Sequence, residues 1–177
     1  MLFLKRLFGS TKLQTEGRAV FAQLGAQARL PILYTAYGVP DTLDGRFEML
    51  CLHVYPLFHR LKGQGAEAEA LSQTTYDAMF ADLGVGRRIK TMTEALNGRI
   101  HAFDRAFAAG DAELREAVRR NVYGTAAPSE DQVRAMADYL RHIREALLAS
   151  SLADLCAGRL SLPEPAPPAL ESTHATG

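Results

Sequence analysis

An all-α fold, a single-domain multi-helix bundle with a disordered C-terminal tail, is predicted by three features of this sequence. Apolar residues recur at steps of three and four along most of the chain. No run alternates apolar and polar residues as a half-buried strand does. Glycine, proline and capping residues fall mainly between the periodic stretches. The 177 residues are 47% apolar and 23% charged, without Trp, which suits one domain that buries a continuous core without metals or disulfides.

The elements follow in order. Residues 12–29 read as a first helix, with Leu13, Val20, Phe21 and Leu24 as its apolar positions. Pro31 interrupts it, and the stretch after it holds a helical turn or two. Gly38-Val39-Pro40-Asp41-Thr42 is punctuation: Pro40 biases Val39 away from helix, and Asp41 or Thr42 can cap the next one. In that helix Leu43, Phe47, Leu50, Val54, Phe58 and Leu61 form one buried stripe. Pro56 lies within it, which predicts a bend near Leu52–His53 or two helices meeting there.

Gly63-Gln64-Gly65 is a break before a helix over 66–82. Gly84-Val85-Gly86 is a tight loop. The most regular pattern follows, with Ile89, Met92, Leu96, Ile100, Phe103 and Phe107 on one face. Gly98 inside it costs about 1 kcal/mol relative to Ala, and a close helix crossing there would explain it. A short helix runs from Gly110–Asp111 through Val122, with Asp111 as its expected cap. Ser129 and Gln132 make a capping box for a helix carrying Val133, Met136, Leu140, Ile143 and Leu147. A last turn or two covers 148–156. After Gly158 come four prolines within 163–168, the composition of a disordered tail. The division is thus an N-terminal segment 1–11, a helical domain 12–157 and a tail 158–177.

Formal net charge is zero, but residues 1–62 carry +4 and the remainder −4. The balance does not suggest a DNA-binding protein; the positive front half suits an anionic surface or is ordinary surface composition. In the N-terminal segment Leu4, Leu7 and Phe8 can share a helical face beside Lys5 and Arg6, a pattern that suits a membrane interface or a locally packed terminus. No stretch reaches the roughly 20 apolar residues of a spanning helix. Cys51 and Cys156 lie outside any CxxC or Cys/His cluster and read as reduced thiols.

Catalytic and cofactor signatures are missing from the pattern. The five histidines form no HxxxH or HExxH pair, so no metal site is expected. There is no GxSxG, and Gly84-Val85-Gly86-Arg87-Arg88 lacks the ending of a phosphate loop. Arg87, Arg88 and Lys90 make a basic patch at a helix start, where cations oppose the helix dipole. That placement fits either a partner contact or a solvated helix end. Asp44 favours the dipole in the first turn of its helix, and Asp44, Arg46 and Glu48 are expected to pair locally.

The segment 37–61 reads YGVPDTLDGRFEMLCLHVYPLFHRL. It resembles the signature of the ubiquinol–cytochrome c chaperone family through Gly38, Val39, Pro40, Asp41, Thr42, Asp44, Gly45, Arg46, Phe47, Leu52, His53, Arg60 and Leu61. The stretches 28–34, 78–82, 85–92 and 121–124 resemble further landmarks of that family. Between Asp82 and Val85 the chain lacks a charged segment that members carry. The resemblance implies an all-helical, non-catalytic, cofactor-free assembly factor of respiratory complex III. It implies a newly synthesised cytochrome b client and contact with the ribosome or a membrane surface. The implied location is the cytoplasmic face of a bacterial inner membrane, or the mitochondrial matrix.

Within that reading Arg46, His53 and Arg60 are expected on the less apolar side of the central helix. With Arg87, Arg88 and Lys90 they would present a partner surface; alternatively, Arg46 and His53 belong to a buried hydrogen-bond network. Gly38 to Thr42, Asp44, Gly45 and Phe47 would be structural. A chaperone is expected to expose an apolar patch or open groove. A helical lipid or small-ligand carrier, the competing reading, would enclose an apolar cavity. An enzyme would show a polar cleft of perturbed titratable groups.

Overall fold

A computed structural model describes the backbone of residues 2–84 and 89–168, with side chains described from Lys12 onward, Ile89 excepted. Among these residues it contains α-helices and no strand: α1 (Leu2–Ala28), α2 (Pro31–Thr35), α3 (Leu43–Leu61), α4 (Ala66–Asp82), α5 (Ile89–Ala109), α6 (Asp111–Val118), α7 (Glu130–Ala149) and α8 (Leu152–Cys156). A π-helical turn, Arg119–Tyr123, extends α6. The all-α class read from the sequence is the class observed.

Helix α3 lies at the centre, packed by α1, α4, α5 and α7. Its buried residues, from Gly45 to Leu61, include Leu52, Val54, Tyr55 and Leu57, none of them exposed. The apolar surface is therefore wider than the single stripe read from the spacing, as suits a helix surrounded by others, although Leu43, read as the first member of that stripe, is exposed. Helix α7 runs parallel to α3, since His53 meets Tyr139 and, further along both, Arg60 meets Ser150. Helix α1 runs parallel to α4: Gly17 faces Thr74, and Arg29 pairs with Asp82 at 2.6 Å. A Cβ on Gly17 would overlap the Thr74 side chain, which accounts for a glycine in the middle of α1.

Several local expectations need correction. The first helix starts at Leu2, not near residue 12, so the N-terminal segment is continuous with α1. Helix α3 passes through Pro56 as one element rather than as two helices meeting there; buried residues on both sides of the proline hold it together, although the lost hydrogen bond has a cost. A Cβ on Gly98 would meet nothing within 4 Å, so among the described residues no close crossing occurs there. Gly110, at φ 128°, is the N-cap of α6. Asp111 is not that cap; its carboxylate pairs with Arg115 at 3.0 Å and with Arg141 of α7. The capping box of α7 is present, with Ser129 Oγ accepting from Gln132 N and Gln132 Oε1 accepting from Ser129 N.

The tail divides in two. Residues 158–168 contain no helix, yet they lie along the bundle and are fastened to it. Gln27 donates to the Pro163 carbonyl at 2.6 Å, and Tyr37 donates to the Ala166 carbonyl at 2.7 Å. Their predicted disorder therefore does not extend to this part. Residues 169–177 lie outside the described residues.

Candidate functional site

The signature segment builds the entrance of α3. Thr42 is its N-cap: the hydroxyl accepts from Gly45 N at 3.1 Å, satisfying one of the free amides of the first turn. Pro40 curls back so that its carbonyl accepts from Thr42 N at 2.9 Å. A Cβ on Gly45 would overlap the Pro40 carbonyl oxygen, so this buried position demands glycine. Asp41, offered with Thr42 as a cap, instead accepts from Arg46 Nε at 2.7 Å. That exposed pair holds the Asp41 carboxyl below its usual range. Asp44 stands exposed in the first turn, and Phe47 is half-buried against the core.

The loop before the cap is held from the other side of the bundle. Gly38 has φ 72°, a conformation open to glycine, and a Cβ there would overlap the Gln132 side chain. Gln132 Nε2 donates to the Ala36 carbonyl at 3.2 Å. Tyr123, brought inward by the π-helical turn, donates to the Tyr37 carbonyl at 2.8 Å. Val39 is buried. The GVPDT stretch is thus a packed corner joining α2, α3, α7 and the π-turn.

His53 does not occupy the less apolar side expected of it. It is fully buried, because α7 covers that stretch of α3. Its Nδ1 lies 2.7 Å from the Met49 carbonyl and its Nε2 3.0 Å from the Tyr139 hydroxyl. Those partners fix the tautomer: Nδ1–H donates to Met49, and the Tyr139 hydroxyl donates to Nε2. Burial, opposed by the Met49 bond, lowers the imidazole pKa to about 4. Gln27 in turn donates to the Tyr139 oxygen at 3.0 Å. This is the buried network weighed as the alternative, and it makes His53 inaccessible to a partner.

The other expected partner residues do not converge. Arg46 and Arg60 are 14 residues apart on α3, roughly 21 Å along its axis. Arg60 donates to the Ser150 carbonyl at 3.2 Å, at the end of α7. Its buried Nε has no partner among the described residues. Lys90 is exposed; Arg87 and Arg88 lie outside the described residues. Asp44, Arg46 and Glu48 do not pair with one another: Arg46 bonds Asp41, and Glu48 reaches another helix. Glu48 holds Arg99 of α5 in a two-pronged pair, with Arg99 Nε donating at 3.0 Å. Further along α3, Asp104 accepts from the Tyr55 hydroxyl at 3.1 Å and from His59 Nδ1 at 2.8 Å. Arg144 donates to His59 Nε2 at 3.1 Å and lies 4.5 Å from the Phe107 ring centroid. No single-sequence signal pairs these residues, because each bond joins different helices.

Beside that cluster, α3, α4 and α5 enclose a cleft of about 410 Å³ that opens to solvent. Phe58, Leu61, Tyr76, Leu96 and Ile100 give it an apolar floor; His59, Lys62, Glu69, His101 and Asp104 rim it. The broad apolar patch expected of a chaperone is not found among the described residues: their exposed large hydrophobics are Leu43 and Leu148, at opposite ends of the α3/α7 pair. Cys51 and Cys156 are free and buried. Among the described residues no cluster of three or more His, Cys, Asp or Glu is arranged to hold a metal. Likewise, no helix there is long and apolar enough to cross a membrane.

The fold is shared with a solved structure. The crystal structure of the Cbp3 homolog from Brucella abortus superposes with a TM-score of 0.81 at 29% identity, covering 93% of this chain and 97% of that one. A comparison with curated proteins finds no match. The ubiquinol-cytochrome C chaperone family profile matches residues 35–162, a span that contains the loop and cap before α3, His53 with Tyr139, and the cleft. The chain belongs to the ubiquinol-cytochrome c chaperone family.

Proposed function

We propose that this protein is a non-catalytic assembly factor that holds newly synthesised cytochrome b until it joins ubiquinol–cytochrome c reductase. The observation that carries the reading is the open cleft between α3, α4 and α5. Its apolar floor and polar rim suit the side chains that project at i, i+3, i+4 and i+7 from one face of an apolar helix. A cleft open to solvent lets such a client enter and leave, whereas a lipid carrier needs an enclosed cavity. At the rim His59 is engaged with Asp104, and from outside the cleft with Arg144. That arrangement supports a holding role rather than acid–base chemistry.

In this reading the α3 corner and the His53 network keep the gripping helix rigid. Exposed Lys90, with Arg87 and Arg88, would meet a second surface such as the ribosome or anionic lipid. The site of action would be the cytoplasmic face of the inner membrane, or the matrix in a mitochondrion.

The test is deletion of the gene, followed by absorbance measurement of cytochrome b and of assembled complex III. Both are expected to fall, and to be restored by the wild-type gene but not by Ile100→Glu in the cleft floor. Unchanged cytochrome b after deletion refutes the client. Full rescue by a folded Ile100→Glu protein refutes the cleft.

A further inference from the structure

The segment 158–168 occupies a groove made by α1, the corner at Tyr37, and α7. Every side chain that fastens its backbone carbonyls is a donor. Gln23 Nε2 donates to the Gly158 carbonyl at 2.7 Å, Gln27 Nε2 to Pro163 at 2.6 Å, and Tyr37 to Ala166 at 2.7 Å. Before the prolines the segment also donates: Leu160 N to Gln23 Oε1 at 3.3 Å, and Gly158 N and Arg159 N to the Leu155 and Asp154 carbonyls of α8, each at 3.0 Å. Pro165 is buried between these anchors. The rings of Tyr37 and Tyr139 line the groove, tilted against each other with centroids 6.0 Å apart.

The match is chemical. A chain with prolines at 163, 165, 167 and 168 has few amide hydrogens and keeps all its carbonyls. It is therefore rich in acceptors and poor in donors. A groove that offers N–H and O–H groups beside aromatic rings selects such a chain, the logic by which proline-rich segments are recognised. A pre-extended segment also loses little conformational entropy on docking.

We propose that this groove is a binding site for proline-rich extended peptides, filled in cis by residues 158–168 and open to a proline-rich segment of another protein that displaces them. The site communicates with the signature helix. Gln27 divides its two N–H donors between Pro163 and the Tyr139 hydroxyl, and Tyr139 bonds His53 of α3. Removing the strap frees one of those donors at the edge of the buried network. The inference goes beyond the client cleft, which lies on other helices, and stands or falls separately from it.

The probe is a fluorescein-labelled peptide of residues 160–168, LSLPEPAPP. Tethering gives the cis segment an effective concentration on the order of millimolar, so the wild-type chain should bind the probe weakly. In the full-length chain carrying Pro163→Gly and Pro165→Gly the groove is intact and the strap loosened. Anisotropy should there show at least tenfold tighter binding, reversed by adding Tyr37→Phe. Equal binding to wild type and strap variant, or none to either, overturns the proposal. The unmodified chain gives a second reading through trypsin cleavage after Arg159, which the strap carries and the probe lacks. Millimolar probe should speed that cleavage several-fold, and a probe with alanine at all four prolines should not. An unchanged rate with the proline probe, or equal acceleration by both, also overturns it.

Discussion

The Tyr139 hydroxyl stands 3.0 Å from His53 Nε2 inside the bundle and so joins α7 to the centre of α3. Replacing Tyr139 with Phe keeps the ring but leaves the buried Nε2 without its donor. An unsatisfied buried polar group costs about 1–3 kcal/mol. Tyr139→Phe should lower stability by that amount in urea titration, with an unchanged m-value. A neutral result would mean that water replaces the hydroxyl.

The same imidazole makes stability depend on pH. Burial lowers its folded pKa to about 4 from the ordinary 6.5. Between those values the unfolded chain binds a proton that the folded chain refuses. The contribution is therefore complete above 6.5 and is lost as pH falls toward 4. Linkage gives a loss of about 2 kcal/mol between pH 7 and pH 5. His53→Gln should be less stable than wild type at pH 7 and should lack that part of the slope. Urea midpoints at the two pH values, compared between the proteins, check it.

Two helical glycines should respond in opposite directions to alanine. Gly45 has no room for a Cβ beside the Pro40 carbonyl, so Gly45→Ala should destabilise by about 1–3 kcal/mol, as overpacking does. Gly98 has open space around it, and Gly98→Ala should stabilise by about 0.5–1 kcal/mol through helix propensity. Thermal melts of the two variants separate the cases. Destabilisation by Gly98→Ala would indicate a partner helix at that face.

Glu48 and Arg99 form the pair between α3 and α5, with the Glu48 side chain 12% exposed and that of Arg99 29%. Partial burial places their coupling above that of an exposed pair, at about 1–2 kcal/mol. A double-mutant cycle of Glu48→Gln and Arg99→Met, read by urea denaturation, measures it directly. Coupling near zero would make the pair incidental to the α3–α5 packing.

Local chemistry made much of the fold legible. The breaks at 63–65 and the Ser129–Gln132 capping box depend on neighbours in sequence, and both appear as read. Legibility ended where a partner comes from another helix. Gly98 read as a crossing and proved open, whereas Gly17 and Gly45 carry the close approaches, against Thr74 and the Pro40 carbonyl. His53 left two readings open, partner-facing or buried in a network, because its place on α3 does not show which helix covers it. The proline-rich segment read as free because its own composition cannot bury a core, while the donors that fasten it come from α1 and the α2–α3 corner.

Gln132 has a double attachment with a dynamic result. Its Oε1 closes the first turn of α7 while its Nε2 grips the Ala36 carbonyl beside Gly38. Fraying of that turn and loosening of the loop are consequently coupled through one side chain. Amide exchange near the start of α7 and around residues 36–39 should then rise and fall together, so the signature loop is timed by a helix some ninety residues away in the chain.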